Sequence, residues 1–447
     1  MIRLLLSDLT AHARVWLGVL ALTVTTGFVG AIAAGLIETG SVHGGRVQDG
    51  LSSTSAAVIM FTSVTAIIVL SATANLTVAL HQRSYALWHL VGIRPVLVGI
   101  VVLTQLGIVG AVGAAVGCLV AVPVFPALFV WAFREWSNMQ GISLHLGIIS
   151  MLIVVAAITV VVMIGGLRGA RRASRTQPIE ALRDPEPPIV KMGWFRIVLT
   201  ALTVGGAVAV AGNLDGSATL SGFSGHAILL TPLLAAALAA AGPRVFPLVL
   251  RAWTSLVPSH MSASWFLARN SARYRLSQSN AAISPLMVAI ALAGGLYTLA
   301  ATLDAALLAR GGSTTSTGLA LEGVVILLGG PLLLSAVAAA ATVFMSGRAR
   351  QREFALIQAA GSTQSVISLA AIWEAVIYTM TATILGTIAT VAGGLIIASE
   401  LSLALPVVSF STIGLIAAGG LVLILIATIA PTVAALRHEI PRTLAVE

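Results

Sequence analysis

Two short stretches of the chain place charged, amide and apolar side chains in the same order: HQRSYALWHLVG at 81–92 and RQREFALIQAAG at 350–361. In the first, Gln82 and Arg83 precede the apolar Tyr85 and Leu87, and Gly92 closes the segment. In the second, Gln351, Arg352 and Glu353 precede Phe354 and Leu356, and Gly361 closes it. Polar groups followed by apolar side chains at helical spacing suit a short amphipathic helix, and glycine ends such a helix because it enters the left-handed conformation at low cost. This is docking chemistry, which holds one protein against another, and not bond-making chemistry. Glu374 is the main ionisable residue inside an apolar run. Burying a charge in lipid is costly, so such a residue is a functional candidate by default. A proton relay, snorkelling to the interface and a structural hydrogen bond to a neighbouring helix are three readings of it.

Other chemistries are excluded by residue type. A nucleotide-binding P-loop needs a lysine to reach the phosphates, and the only lysine, Lys191, stands between Val190 and Met192 with no glycine-rich loop before it. The chain is therefore not a Walker-type ATPase by itself, and no catalytic residue is expected. One cysteine, Cys118, allows neither an internal disulfide nor a thiolate cluster. The histidines are scattered, with His43, His145 and His226 near predicted outer ends and no pair at zinc spacing within a helix. No metal site is expected.

The elements that must carry these residues follow from composition. Of 447 residues, 58% are apolar and 9% charged, and the mean hydropathy is +1.03, values outside the range of water-soluble proteins. A membrane-spanning helix needs roughly 20 apolar residues. Windows of that length predict ten spans, near 15–36, 56–80, 97–122, 146–167, 195–212, 225–242, 283–303, 320–346, 366–398 and 411–435. With both termini in the cytoplasm, 21 of the 24 basic residues lie inside and three (Arg46, Arg134, Arg310) outside, as the positive-inside rule requires. The net charge of +9 thus marks topology and not nucleic-acid binding. Outside, Glu38, Asp49, Glu135, Asp215, Asp304, Glu322 and Glu400 leave a negative balance, which either draws cationic solutes or is what remains once arginines are placed inside. The first 14 residues, MIRLLLSDLTAHAR, suit an amphipathic helix on the inner surface.

Shifting the chain by 269 residues overlays its halves. Gln82 falls on Gln351, Arg83 on Arg352, Tyr85 on Phe354, Leu87 on Leu356, Gly92 on Gly361, Gln105 on Glu374 and Gly117 on Gly386. The basic stretches RRASRTQPIEALR (171–183) and ALRHEIPRTLAVE (435–447) close each half. The expected architecture is an all-α integral membrane protein of about ten transmembrane helices. It has two parallel four-span repeats, 1–188 and 262–447, joined by a two-span insert at 189–261. Both repeats start on the same side of the membrane with an even number of spans, so they are related by an axis along the membrane normal. Gly113 and Gly117 form a GxxxG, which permits close helix packing in lipid, although such spacings also arise by chance among 43 glycines.

The pattern QRxxALxxxxG in both halves, Glu374 in the span that follows, the closing basic stretches and the run ASWFLARNSARYRLSQSNAAISPLMVAIALAGGL (262–295) resemble the FtsX-like permease family, the membrane subunits of MacB-type, type VII ABC transporters. The resemblance covers most of the chain outside the insert. It implies a non-enzymatic permease in a bacterial cytoplasmic membrane, without a cofactor of its own. ATP and magnesium would be held by a separate ABC ATPase, two copies of which would dock on one chain. Gln82, Arg83, Tyr85, Leu87 and Gly92 would form one ATPase-coupling segment; Gln351, Arg352, Glu353, Phe354, Leu356 and Gly361 would form the other. Efflux or extraction of hydrophobic or amphipathic compounds, antimicrobial peptides or lipids among them, is the expected activity. A proton-coupled secondary transporter that uses Glu374 opposite Gln105 is the first alternative, and mechanotransmission to an extracellular cell-wall enzyme the second. Ser84 stands where the second copy has Glu353, so the two ATPase contacts are expected to be unequal. The predicted loops at 37–55 and 304–319 are too short for the large outer domains found in relatives.

Overall fold

The computed structural model describes residues 13–81, 85, 87–88, 90–134, 136, 139–174, 193–214, 220–258, 262–274, 276–310, 321–359 and 361–436. The predicted surface helix at the N-terminus lies outside them, as does most of each closing basic stretch. Among the described residues every regular element is a helix. In chain order these are α1 (Ala13–His43), α2 (Gly45–Leu80), α3 (Pro95–Ala132), α4 (Ile148–Ala173), α5 (Trp194–Gly212) and α6 (Leu220–Ser255). There follow α7 (Ala263–Tyr274), α8 (Leu276–Ala309), α9 (Leu321–Ala359), α10 (Gln364–Glu400) and α11 (Phe410–Leu436). Nine of them are long and apolar enough to cross a bilayer, and α5 is apolar but short over Arg196–Gly212. The chain is an all-helical multi-pass membrane protein of about ten spans.

Polar side chains inside these helices are satisfied locally. Thr23 Oγ1 donates to Val19 O at 3.1 Å, Thr65 to Phe61 O at 3.0 Å, Thr77 to Thr73 O at 2.9 Å and Thr381 to Ile377 O at 2.7 Å. Each hydroxyl bonds the carbonyl one turn back, so threonine enters an apolar phase without an orphaned donor.

The helices run past the bilayer. At 1.5 Å per residue the 39 residues of α9 extend about 58 Å, against about 30 Å of hydrocarbon. The predicted loop at 37–55 is accordingly not a loop: α1 continues to His43 and α2 starts at Gly45. Gly44 and Gly45 both have positive φ, 66° and 56°. Two successive left-handed residues reverse the chain there, a conformation that glycine adopts without Cβ strain. The hydropathy boundary at Leu36 marked where the membrane ends and not where the helix ends.

The chain divides into two compact units, Met1–Pro188 with Ala320–Met345 and Ile189–Leu319 with Ser346–Glu447. In unit 1, α1 packs on α2, α3 and α4, and α4 also on α2 and α3. Phe125, Phe129 and Phe133 line one edge of the core, with ring centroids 6.0 and 4.8 Å apart. The first part of α9 joins this unit, where Ile326 packs against Val29, Ala33 and Val58. In unit 2, α8 packs on α10, α6 and α11, and α10 also on α6, α7 and α11. The α8–α10 pair repeats α1–α3, and α10–α11 repeats α3–α4.

Three of the acids assigned to the outer face, or their arginine partner, have structural work. Arg134 donates to the Glu322 carboxylate, tying the first turn of α9 to the end of α3. Glu38 accepts from Gly147 N at 2.7 Å and Ser150 Oγ at 2.8 Å, which caps the N-terminus of α4 with a carboxylate from α1. We expect Glu38→Ala to cost about 1–2 kcal/mol, the usual price of a lost cap, read as a lower Tm in detergent. An unchanged Tm would show that water replaces the carboxylate at no cost.

Candidate functional site

The repeated segments share one local geometry. In the first, α2 ends at Leu80, Tyr85, Leu87, Trp88 and Leu90 are helical, and Gly92 follows with φ 88°. Ile93 N donates to Trp88 O at 3.1 Å. In the second, Gly361 has φ 92° and Ser362 N donates to Ile357 O at 3.2 Å. A bond from the residue after the glycine back to a carbonyl five residues earlier is the left-handed glycine cap of a helix end. Arg94 and Thr363 then start α3 and α10 in extended conformation. Leu97 N donates to Arg94 O at 2.9 Å, and Val366 N to Thr363 O at 3.1 Å. Every one of these pairs is 269 residues apart, so the repeat is present in backbone geometry as well as in residue type.

The approach to the cap differs between copies. The second segment is not a separate helix: α9 runs without a break from Leu321 to Ala359 and carries Gln351 to Leu356 in its last turns. The first follows a break at His81, whose backbone leaves helical conformation (φ −98°, ψ 3°).

The individual side chains fall into three groups. Leu87 is 48% exposed and Leu356, its equivalent, 55%. Tyr85 is instead fully buried. It lies in a run of aromatic rings in which Trp16 and His81 are 5.8 Å apart, His81 and Tyr85 6.0 Å, and Tyr85 and Trp88 5.4 Å. His81 Nδ1 contacts Thr77 O at 2.8 Å, which fixes the ring. This run anchors the first segment to α1. Its signal in the sequence was the spacing of His81, Tyr85 and Trp88, four and three residues apart on one helical face. Gln82 and Arg83 lie outside the described residues, as do the side chains of Gln351, Arg352, Glu353 and Phe354.

Glu374 and Gln105 are both buried, 5% and 0% exposed, at equivalent depth in α10 and α3. Tyr378 Oη donates to the Glu374 carboxylate from one turn along α10, and Ser279 Oγ lies 3.4 Å from Tyr378 Oη and donates to Ala272 O at 2.9 Å. Of the readings open for Glu374, a hydrogen bond within the helix assembly is the one this geometry contains.

Histidines distant in sequence meet at the far end of unit 1. Ser143 Oγ lies 3.2 Å from His43 Nε2 and 3.3 Å from His145 Nε2. Spacing within a helix could not reveal a pair brought together by two different elements. Among the described residues no group of three histidine, cysteine or acidic side chains gathers as a metal would need.

Residues 325–440 match the model of the FtsX-like permease C-terminal domain. The chain carries an FtsX-like permease domain. The match takes in most of α9, the second glycine-capped segment, Glu374 and all of α11, so the site described above lies in the part of the chain that defines the family. FtsX-like permeases are membrane components of ABC-type systems and work with an ABC ATPase. No curated protein matches the chain.

Proposed function

We propose that the chain is the permease subunit of an ATP-driven, MacB-type transporter, and that its two glycine-capped segments are the sites where two ATPase subunits dock. The observation that carries this reading is the shared helix end at Gly92 and Gly361, with the same backbone hydrogen bonds in the same register. One chain then presents two like surfaces to two like subunits. Leu87 and Leu356 are the apolar contacts, flanked by Gln82, Arg83, Gln351, Arg352 and Glu353. Tyr85 positions the first segment from inside the bundle and does not touch the partner.

Closure of an ATP-bound ATPase dimer draws the two segments together. On the second side the pull acts directly on α9, an unbroken helix, and reaches Glu322 and its Arg134 partner at the opposite end. On the first side it acts through the aromatic anchor onto α1. The cargo is hydrophobic or amphipathic, because the helices that would move, α1, α2, α8 and α9, are lined with small apolar and threonine side chains. The capped segments face the cytoplasm, both termini lie on that side, and the membrane is the bacterial cytoplasmic membrane. ATP and magnesium belong to the partner.

The test is a mild-detergent pull-down of the tagged chain from its native membrane, with mass spectrometry and an ATPase assay of the eluate. An ABC ATPase near two copies per chain is the expected result. Repeated recovery of the chain alone, under conditions that preserve other ABC complexes, overturns it and returns Glu374 to consideration as a proton carrier.

A further inference from the structure

Unit 2 gathers three arginines where α6 ends and α7 runs beside it. Arg269 and Arg273 are four residues apart on α7 and so share one face. Arg251 lies one turn before the end of α6. Arg273 is held in place: its Nε and Nη2 donate to Thr254 Oγ1 at 3.1 and 2.7 Å, and Nη2 also to Arg251 O at 3.1 Å. Arg269 is not, for among the described residues it makes no hydrogen bond or ion pair, although its Nε is shut off from solvent. Arg251 and Arg273 likewise have no carboxylate partner among those residues. Burial, and then the neighbouring charges of Arg269 and Arg251, hold the Arg273 guanidinium below the ordinary arginine pKa.

Three partly sheltered guanidiniums without an acid leave positive charge uncompensated, which is costly unless an anion from outside supplies the counter-charge. The surroundings indicate what kind of anion. Trp265, one turn before Arg269, is buried between Trp253 and Trp373, with ring centroids at 6.3 and 5.3 Å. Tryptophan concentrates at the headgroup level of a bilayer. Leu256 and Phe266 beside the cluster are 82% and 50% exposed, apolar surface of the kind that acyl chains cover. A guanidinium offers a planar fork of donors matched to phosphate oxygens.

We infer that Arg251, Arg269 and Arg273 form a binding site for a phosphodiester anion, and that its occupant is the headgroup of an anionic phospholipid in the surrounding leaflet. Arg273 forms the fixed wall and Arg269 supplies the free donors. The site lies on α6 and α7, outside the segments proposed to dock the ATPase, and does not depend on that assignment.

The test uses the full chain in nanodiscs of phosphatidylcholine containing phosphatidylglycerol, with retained lipid counted by native mass spectrometry and Tm measured in parallel. Arg269→Gln removes no internal hydrogen bond, so the variant folds. It is expected to weaken phosphatidylglycerol retention by about tenfold, the worth of one charge-assisted hydrogen bond. Arg269→Lys recovers part of the loss, and Arg171→Gln in α4, a charge-matched change elsewhere, leaves retention at the wild-type level. Equal retention by the wild type, Arg269→Gln and Arg171→Gln overturns the site. A rise in Tm with inorganic phosphate in pure phosphatidylcholine, equal to that with phosphatidylglycerol, overturns the lipid as occupant in favour of a soluble phosphate.

Discussion

Exchanging Leu87 and Leu356 together for aspartate is expected to cut recovery of the ATPase with the permease by at least about a hundredfold. Each leucine is about half exposed at an equivalent position ahead of its glycine cap. Burying a leucine in a partner groove contributes about 1.5–3 kcal/mol, and an aspartate there loses that and must also be desolvated. The two sites act on one dimer, so losing both removes the avidity that bivalent docking supplies. The single variants separate the sites. Leu87→Asp alone is expected to leave one ATPase contact and sharply reduce ATP hydrolysis by the complex, since a dimer held at one end cannot drive both repeats. Neither leucine contributes to the buried core, so Tm should stay within about one degree of wild type, as surface substitutions generally do. Unchanged ATPase recovery with the double variant would remove the capped segments from consideration as docking sites.

The spans were legible because lipid imposes a simple condition: a helix that crosses it reads as an unbroken apolar run. The register of the repeat was legible too, and the left-handed caps at Gly92 and Gly361 follow from glycine standing at the same place in both copies. What hydropathy could not reveal is anything outside the hydrocarbon. The α1–α2 hairpin continues as helix through polar residues up to Gly44, because helix propensity does not stop where apolar composition stops. The continuity of α9 through Gln351 and Arg352 was hidden for the same reason. Tyr85 shows a different limit. Its pattern matched that of Phe354, yet its burial depends on Trp16, which the chain brings beside it from 69 residues upstream. Pairing of that kind, like the approach of His43 to His145, is settled by packing between helices and leaves no periodic trace.

Gly117→Leu is expected to abolish the folded permease, a larger effect than any other single change to the helix core. A Cβ at Gly117 would lie 2.1 Å from Val24 O and 2.6 Å from Phe28 N, and one at Gly27 would lie 2.4 Å from Ala114 O. The contact between α1 and α3 is thus backbone against backbone, reciprocal across the crossing, and neither side can rotate away. Helix association in lipid rests on such close packing, because burial of apolar surface gives no further gain once the helices are in the membrane. Even Gly117→Ala should reach the upper part of the about 1–3 kcal/mol typical of overpacking, and a leucine must push the helices apart. The equivalent Gly386 faces a different neighbour: its Cβ would meet the Ile290 side chain at 2.7 Å, which can change rotamer, and Met287 O only at 3.2 Å. Gly386→Ala should therefore cost less than half as much as Gly117→Ala. Size-exclusion chromatography of the detergent-solubilised variants over a temperature ramp measures both. Equal losses at the two glycines would mean that the α1–α3 crossing is no tighter than α8–α10. The comparison also separates fold from coupling, since Gly117 variants lose Tm and ATPase recovery together, whereas Leu87→Asp loses only the second.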